Sequence, residues 1–394
     1  TKFLMKESIL VLGGGFAGVE SAIKLCKYGY DVTLISDRDY LFVYPISIWI
    51  PVRKKEFHDV AIPLQDLSSK HGFKLIIDEV KELKPSESKV FLSKQNLDFD
   101  FLVIAMGMDK YKIKGMENTL SICGKPEESI KIREELDKLI EEGRGRIAIG
   151  FGGNPDDPSA TAVRGGPAFE LLFNFRTYLK KKKVSDNFEL VFFAPMEEPG
   201  KKMGKSALGK MGQMFKQYDV SSHTGKKIKQ FNKGEVVFFD DSRIEADMVL
   251  FIAGGNGHQV IIDSDLPQTA PGFIKIDSSC QVNGYENIFA IGDVADLNGP
   301  KWAAKQGHIA EVMADVASYA IDQKIKKSDK RKSYLPHLNI ICVMDTGDGA
   351  AIIYRKGDFD MLIPLPIIGH WMKKAWGSYY KKSKMKKFPR IPGM

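Results

Sequence analysis

Cysteine is scarce in this 394-residue chain, and Cys26, Cys123, Cys280 and Cys342 stand far apart with no CxxC or CxxxC pair among them. That spacing excludes a zinc site of clustered thiolates and the disulfide framework of a small secreted domain, and it suits an intracellular chain. Any redox pairing of these thiols has to come from long-range contacts. Long apolar runs are also missing, so no stretch reaches the length of a membrane-spanning helix. Residues Thr1 to Ser8 run straight into a strand and a glycine turn, without the charged, apolar and cleavage regions of a secretory signal. Repeats and low-complexity blocks are absent apart from a lysine-rich end. With 43% hydrophobic and 27% charged residues, the composition is that of a folded chain long enough for roughly two or three domains.

Acid is missing from the C-terminal end. The formal net charge is +8, from 58 Lys+Arg against 50 Asp+Glu. No Asp or Glu follows Asp360, whereas Lys373, Lys374, Lys381, Lys382, Lys384, Lys386, Lys387 and Arg390 do. Residues 1–360 are therefore balanced and the whole excess lies in the tail. A basic chain suggests nucleic acid, but charge confined to one end, behind the apolar run Met361–Ile368 and interleaved with Trp371, Met372, Trp376, Tyr379 and Tyr380, argues against it. Tryptophan and tyrosine flanked by lysine are what a helix lying on an anionic membrane surface requires. A packed helix with a solvated lysine face is the competing reading.

Apolar runs ending in glycine mark the strands. Ser8–Leu12 meets the turn Gly13-Gly14-Gly15-Phe16-Ala17-Gly18, a helical pattern follows over Val19–Lys27, and Asp31–Ser36 closes a βαβ unit. In a GxGxxG turn the first glycine allows the bend, the second lets backbone approach a pyrophosphate, and the third lets helix and strand pack; the helix N-terminus then faces the phosphates. Ser36, Asp37 and Arg38 stand where a ribose-binding acid belongs. Glu20 reads as a helix-face residue. Further strands are expected at Phe73–Ile77, Phe101–Ile104, Arg146–Ile149, Phe188–Phe193, Met248–Ile252 and Ile288–Ile291, with helices over Gly124–Gly143, Phe169–Lys180 and Ala303–Ile321. Lys324 to Lys332 reads as a solvated connector. The expected fold class is α/β: two Rossmann-like dinucleotide-binding domains plus a C-terminal membrane-facing region.

Gly150-Phe151-Gly152 begins a second glycine turn, but Asn154-Pro155-Asp156-Asp157-Pro158 and the residues up to Gly166 intervene before the next helix, and the prolines disfavour an immediate helix start. This half is expected to keep the fold without an NAD(P)H site. The predicted boundaries are 1–118 with 265–325 for a discontinuous FAD-binding domain, 119–264 for the second Rossmann-like domain, and 326–394 for the C-terminal region.

Two further segments decide the cofactor. Leu102–Gly107, with Ala105 and Gly107, resembles the middle motif of the two-dinucleotide-domain flavoproteins, although Met106 stands where threonine is usual. Asn287–Asp293 resembles their far FAD motif, with Gly292 and Asp293 at the strand end. Together with the first turn they imply FAD. Leu34–Arg38, Ser121–Cys123, Gly166-Pro167-Ala168-Phe169-Glu170, Cys280 and Leu338–Gly349 around Cys342 resemble sulfide:quinone oxidoreductases and the flavocytochrome c sulfide dehydrogenase flavoprotein, relatives of the type II NADH dehydrogenases. The resemblance covers nearly the whole chain.

It implies that Cys342 is one of two redox cysteines beside the flavin and that Cys123 matches a third, sometimes linked to the cofactor. The partner cysteine falls on Arg164, which either activates Cys342 by lowering its pKa or marks altered chemistry. A buried apolar role is the alternative for Cys342, and Cys26 and Cys280 read as structural. The family's two histidine positions fall on Glu127 and on Lys201 or Lys202. Glu170 would relay protons or cap its helix. Lys301 would stand at a helix start and stabilise reduced flavin, or be a surface lysine. No metal site is expected. The implied activity carries electrons from sulfide through FAD to a membrane quinone, in a peripheral protein of the cytoplasmic membrane able to form a homo-oligomer. A type II NADH:quinone oxidoreductase and a flavin-bearing membrane adaptor without turnover are the alternatives.

Overall fold

The computed structural model describes residues 7–389. Arg390 and the reading of the first six residues lie outside them. Strands that bury both faces are almost uniformly apolar, as are β1 (Ile9–Leu12), β2 (Val32–Ser36) and β4 (Phe101–Ile104), whereas β3 (Lys74–Ile77) is a half-exposed edge strand of the same sheet. Helix α1 (Phe16–Lys27) crosses from β1 to β2. Helix α2 (Glu128–Glu142) leads into a second parallel sheet of β5 (Gly145–Phe151), β6 (Phe188–Ala194), β7 (Ser221–Thr224) and β8 (Met248–Ile252), with α3 (Gly166–Lys181) between β5 and β6. The chain then returns through β9 (Ile288–Ala290) to the edge of the first sheet, whose order is β9-β4-β1-β2-β3; the second runs β7-β6-β5-β8. Both sheets are parallel throughout.

Helix α4 (Gly307–Ile325) packs on α1, where the Ser21 and Ser318 hydroxyls meet at 3.1 Å. An antiparallel sheet of β10 (Ile340–Asp345), β11 (Gly349–Lys356) and β12 (Phe359–Pro366) follows, and α5 (Ile368–Lys384) is the last element of the described chain. The chain is thus α/β, built on two Rossmann-type sheets. Among the described residues no helix is long and apolar enough to cross a membrane.

Several element boundaries depart from expectation for local reasons. Helix α4 starts at Gly307 rather than Ala303, because the Lys305 amide bonds to the Thr161 carbonyl at 2.9 Å and Gln306 is extended. It also runs on through Lys324 to Ile325, where a connector was expected. Helix α2 starts at Glu128 rather than Gly124, since the Glu128 carboxylate takes the amides of Ser121 and Lys125 and folds that segment into a turn. The second glycine turn is interrupted: fourteen residues separate β5 from α3.

Candidate functional site

A cavity of about 2110 Å³ opens along the carboxyl ends of the first sheet and continues between the second sheet and α5. Ligands of open parallel sheets bind at such ends. Gly13, Gly15, Phe16 and Ala17 of the first turn, Ser36, Asp37 and Arg38 after β2, Ala105 and Gly107 after β4, and Gly292 and Asp293 after β9 all line it, as do Cys123, Arg164, Glu170, Lys301 and Cys342. Gly18 does not; it lies behind the turn, where a β-carbon would come within 1.9 Å of the Gly13 carbonyl oxygen.

The turn suits a dinucleotide. Gly13 sits at φ +112°, and a β-carbon there would lie 2.3 Å from the Ala105 carbonyl oxygen. In front of Gly15 nothing stands within 4 Å, and no side chain caps α1, so backbone amides at its N-terminus are left for a phosphate. The Asp37 carboxylate is mostly exposed beside Arg38 at 3.6 Å. These residues fit FAD, the cofactor of this fold.

Deeper in, cations gather round one carboxylate. Asp293 pairs with the Arg164 guanidinium, and the Lys305 ammonium donates to the Asp293 carbonyl at 2.6 Å. Burial pushes the Asp293 carboxyl up, but Arg164, Lys305 and Lys110 outweigh it and hold it below the usual carboxylate range. Burial drives Lys305 down to about 7 against the pull of Asp293, and its ammonium lies 3.3 Å from the centre of the Phe273 ring. The Arg164 Nε is buried with no hydrogen-bond partner among the described residues. Lys301, expected at a helix start, is instead exposed on the irregular run before α4, and Lys305 is the buried lysine of this region.

The thiols behave differently from expectation. All four cysteines are free. Cys342, half-buried on β10, lies against the turn that opens α3: a β-carbon on Gly166 would be 3.9 Å from its sulfur. Its thiol is pushed up to about 12, first by burial and then by the Glu170 carboxylate, with Lys373 opposing. The Arg164 guanidinium pairs with Asp293 rather than with this thiol. Cys123 is buried and its thiol is raised by burial, with Lys110 and Arg164 opposing.

Glu170 does not cap α3. It is the fifth residue of the helix, past the free amides, and its buried carboxylate accepts the Asp345 amide at 2.7 Å and pairs with Lys373. Burial raises its pKa, with Lys373 opposing. Glu127 accepts the Tyr40 hydroxyl at 2.6 Å, and Lys202, lowered to about 8 by burial, donates to the carbonyls of Ser159, Ala160 and Ala303.

The tail is not a uniformly solvated basic arm. Lys373 and Lys384 are buried; Lys384 pairs with Glu20 and, at 3.0 Å, with Glu311, so Glu20 is an internal counter-ion rather than a helix-face residue. Met372, Trp376, Tyr379 and Tyr380 of α5 wall the cavity, and the Tyr380 ring packs tilted against Phe16 with centroids 5.0 Å apart. Lys110 and Lys305 carry no sequence motif, and the buried pairing of Lys373 with Glu170 and of Glu20 with Lys384 was not visible in the sequence, since these partners meet only across the fold.

The sequence profile of the family described as pyridine nucleotide-disulphide oxidoreductase matches residues 7–314. The chain belongs to that family. It is 24% identical to a sulfide-quinone reductase of Aquifex aeolicus, over 98% of this chain and 90% of the relative. A type II NADH:quinone oxidoreductase of Staphylococcus saprophyticus is 24% identical over 89% of this chain and 90% of its own length. In three dimensions the chain matches the crystal structure of the Aquifex aeolicus sulfide:quinone oxidoreductase with a TM-score of 0.86 and 21% identity, covering 97% of this chain and 92% of the other.

Proposed function

We propose that this oxidoreductase is a FAD-dependent quinone reductase whose electrons come from sulfide. The observation that carries the reading is the cavity itself. It joins the dinucleotide turn and Asp293 at one end to Cys342, Glu170 and the aromatic wall of α5 at the other, without a break. Gly13–Ala17 would hold the pyrophosphate, Asp37 a ribose, and Gly292-Asp293 the middle of the cofactor. Bound there, FAD supplies reversible two-electron chemistry. Arg164, Lys110 and Lys305, which line the same cavity, would offer it positive charge that favours an added negative one. Glu170 and Lys373 hold a proton at the cavity wall beside the aromatic side chains, where a quinone ring would lie. With the Cys342 thiol pushed up by burial, the hydrosulfide anion, present beside neutral hydrogen sulfide at neutral pH, would bring its own charge to the site.

Type II NADH:quinone oxidoreductase is the second reading, favoured by the Staphylococcus saprophyticus relative. The fourteen-residue interruption between β5 and α3 speaks against it, since it removes the helix N-terminus that a second pyrophosphate needs. Anaerobic mixing of the holoprotein with sulfide or with NADH separates the two. We expect sulfide to bleach the flavin absorbance and NADH to leave it; bleaching by NADH alone sinks the sulfide reading, and bleaching by neither leaves the adaptor. Cys342→Ser should abolish bleaching by sulfide, and persistence of the full rate would make Cys342 a packing residue.

Docking on a membrane surface would use Ile367, Ile368, Trp371 and Met372, which are exposed together where β12 meets α5.

A further inference from the structure

His370 and Lys373 lie three residues apart on α5 and so share a helix face. Two acids oppose them. The His370 Nδ1 is 2.5 Å from Asp345 Oδ2 at the end of β10, and Lys373 pairs with Glu170 of α3. The two base–acid rungs are joined, because the Asp345 amide donates to Glu170 Oε1 at 2.7 Å. Asp345 is held in register: its Oδ1 accepts the Trp49 indole N–H at 3.1 Å and the Gly347 amide at 2.9 Å, which leaves Oδ2 to His370. The outer acid is the most buried member of the ladder. The Asp345 side chain is fully buried, Glu170 and Lys373 nearly so, and His370 is 13% exposed. Glu170 and Lys373 line the cavity, whereas Asp345 and His370 do not.

From this arrangement we infer that Asp345 and His370 form a proton inlet that reloads the Glu170–Lys373 pair from solvent. The inference rests on quinone being the acceptor. A quinone that gains two electrons gains two protons and becomes the quinol, with nothing else exchanged. The first proton leaves the Lys373–Glu170 rung for a quinone oxygen, and the rung is then one proton short. Asp345, whose amide is bonded to Glu170 and whose Oδ2 faces His370, passes a proton inward and takes another from His370, which recharges from water; the second quinone oxygen takes the proton that the reduced cofactor would give up on reoxidation.

The groups facing His370 are Asp345 of β10, Lys54 from the segment beside Trp49, and Lys374 of its own helix. Lys54 is brought down to about 8 by burial and donates to the Gly347 carbonyl at 2.7 Å. Glu170 faces Lys373 and Asp345 and in turn acts on Cys342. Neither His370 nor Asp345 touches the reacting atoms, so both act through the inner rung.

The test separates the acceptor half of the cycle from the donor. Holoprotein reduced with dithionite is mixed with a short-chain ubiquinone or with menadione, and the return of flavin absorbance is followed between pH 6 and pH 9. His370→Ala should slow that return on the order of a hundredfold at the alkaline end, with a deficit that shrinks toward pH 6 and is reversed by added imidazole. His370→Gln, which keeps a hydrogen bond to Asp345 but cannot carry a proton, should be as slow. Flavin content and thermal midpoint report that both variants fold. Parent-like rates in both variants overturn the inlet. A slow Ala variant beside a parent-like Gln variant overturns it as well, since that makes His370 a hydrogen-bonding support alone. If the parent flavin stays bleached with both quinones, the acceptor reading itself fails, and that outcome is visible without any variant.

Discussion

Lys305 carries a strong conflict between position and chemistry. Its ammonium is buried against a phenylalanine ring and a backbone carbonyl, and its pKa falls to about 7 from an ordinary 10.5. A lysine with a depressed folded pKa binds fewer protons in the fold than in the unfolded chain, so between those two values stability rises with pH. In protein stripped of FAD, the parent should therefore gain on Lys305→Met by about 2 kcal/mol between pH 7 and pH 9. Urea unfolding at the two pH values measures this, and a constant difference would mean that Lys305 keeps its charge in the fold. The sequence marks Lys301 rather than Lys305 because a lysine after a proline looks like a helix start. Only the bond from the Lys305 amide to Thr161 shows why the helix begins later. Arg164 is the converse case: its place in the chain was legible, but the direction of its side chain, toward Asp293 rather than Cys342, was not.

Helix α5 is where counting charges misleads. Its tail reads as a block of positive charge, yet Lys384 lies fully buried between Glu20 of α1 and Glu311 of α4, and the Tyr380 hydroxyl donates to Glu311 at 3.1 Å. Removing one partner of a buried ion pair leaves an uncompensated charge and costs about 3–5 kcal/mol. Lys384→Met strands two carboxylates and should lose that much in urea unfolding, whereas Lys382→Met on the exposed face should stay within about 0.5 kcal/mol of the parent. Equal stabilities for the two variants would show that the Lys384 cluster contributes nothing. Hydrogen exchange adds a second readout, since loss of the clamp should raise exchange across α5 before it reaches the first sheet. Helix amphipathicity was visible in the sequence; the identity of the partners was not, because Glu20 and Lys384 are brought together only by the packing of α1, α4 and α5.

At the scale of the whole molecule, most of the parallel strands were legible because they are short apolar runs ending near residues that serve the cavity, whereas β7, the polar and mostly exposed edge strand Ser221–Thr224, was not. The two antiparallel meanders at 80–98 and 228–245 were not, since their strands are short, charged and half-exposed. The same contrast governs the surface. With Lys373 and Lys384 turned inward, the basic residues of the described tail that remain outside are Lys374, Lys381, Lys382, Lys386 and Lys387, and Lys381 and Lys386 bond to carbonyls of the first domain. In the proposed docking on an anionic membrane, electrostatic attraction would be worth less than a count of eight suggests, at about 1 kcal/mol for each lysine near the surface, and the exposed apolar cluster of Ile367, Ile368, Trp371 and Met372 would supply the rest. Sedimentation with vesicles containing anionic lipid should therefore retain part of the binding at high salt, while the double variant Ile368→Ser with Trp371→Ser should lose at least roughly tenfold in affinity, since each of the two side chains buries apolar area worth more than 1 kcal/mol. Binding abolished by salt alone, or unchanged in the double variant, would place the membrane contact elsewhere on the molecule.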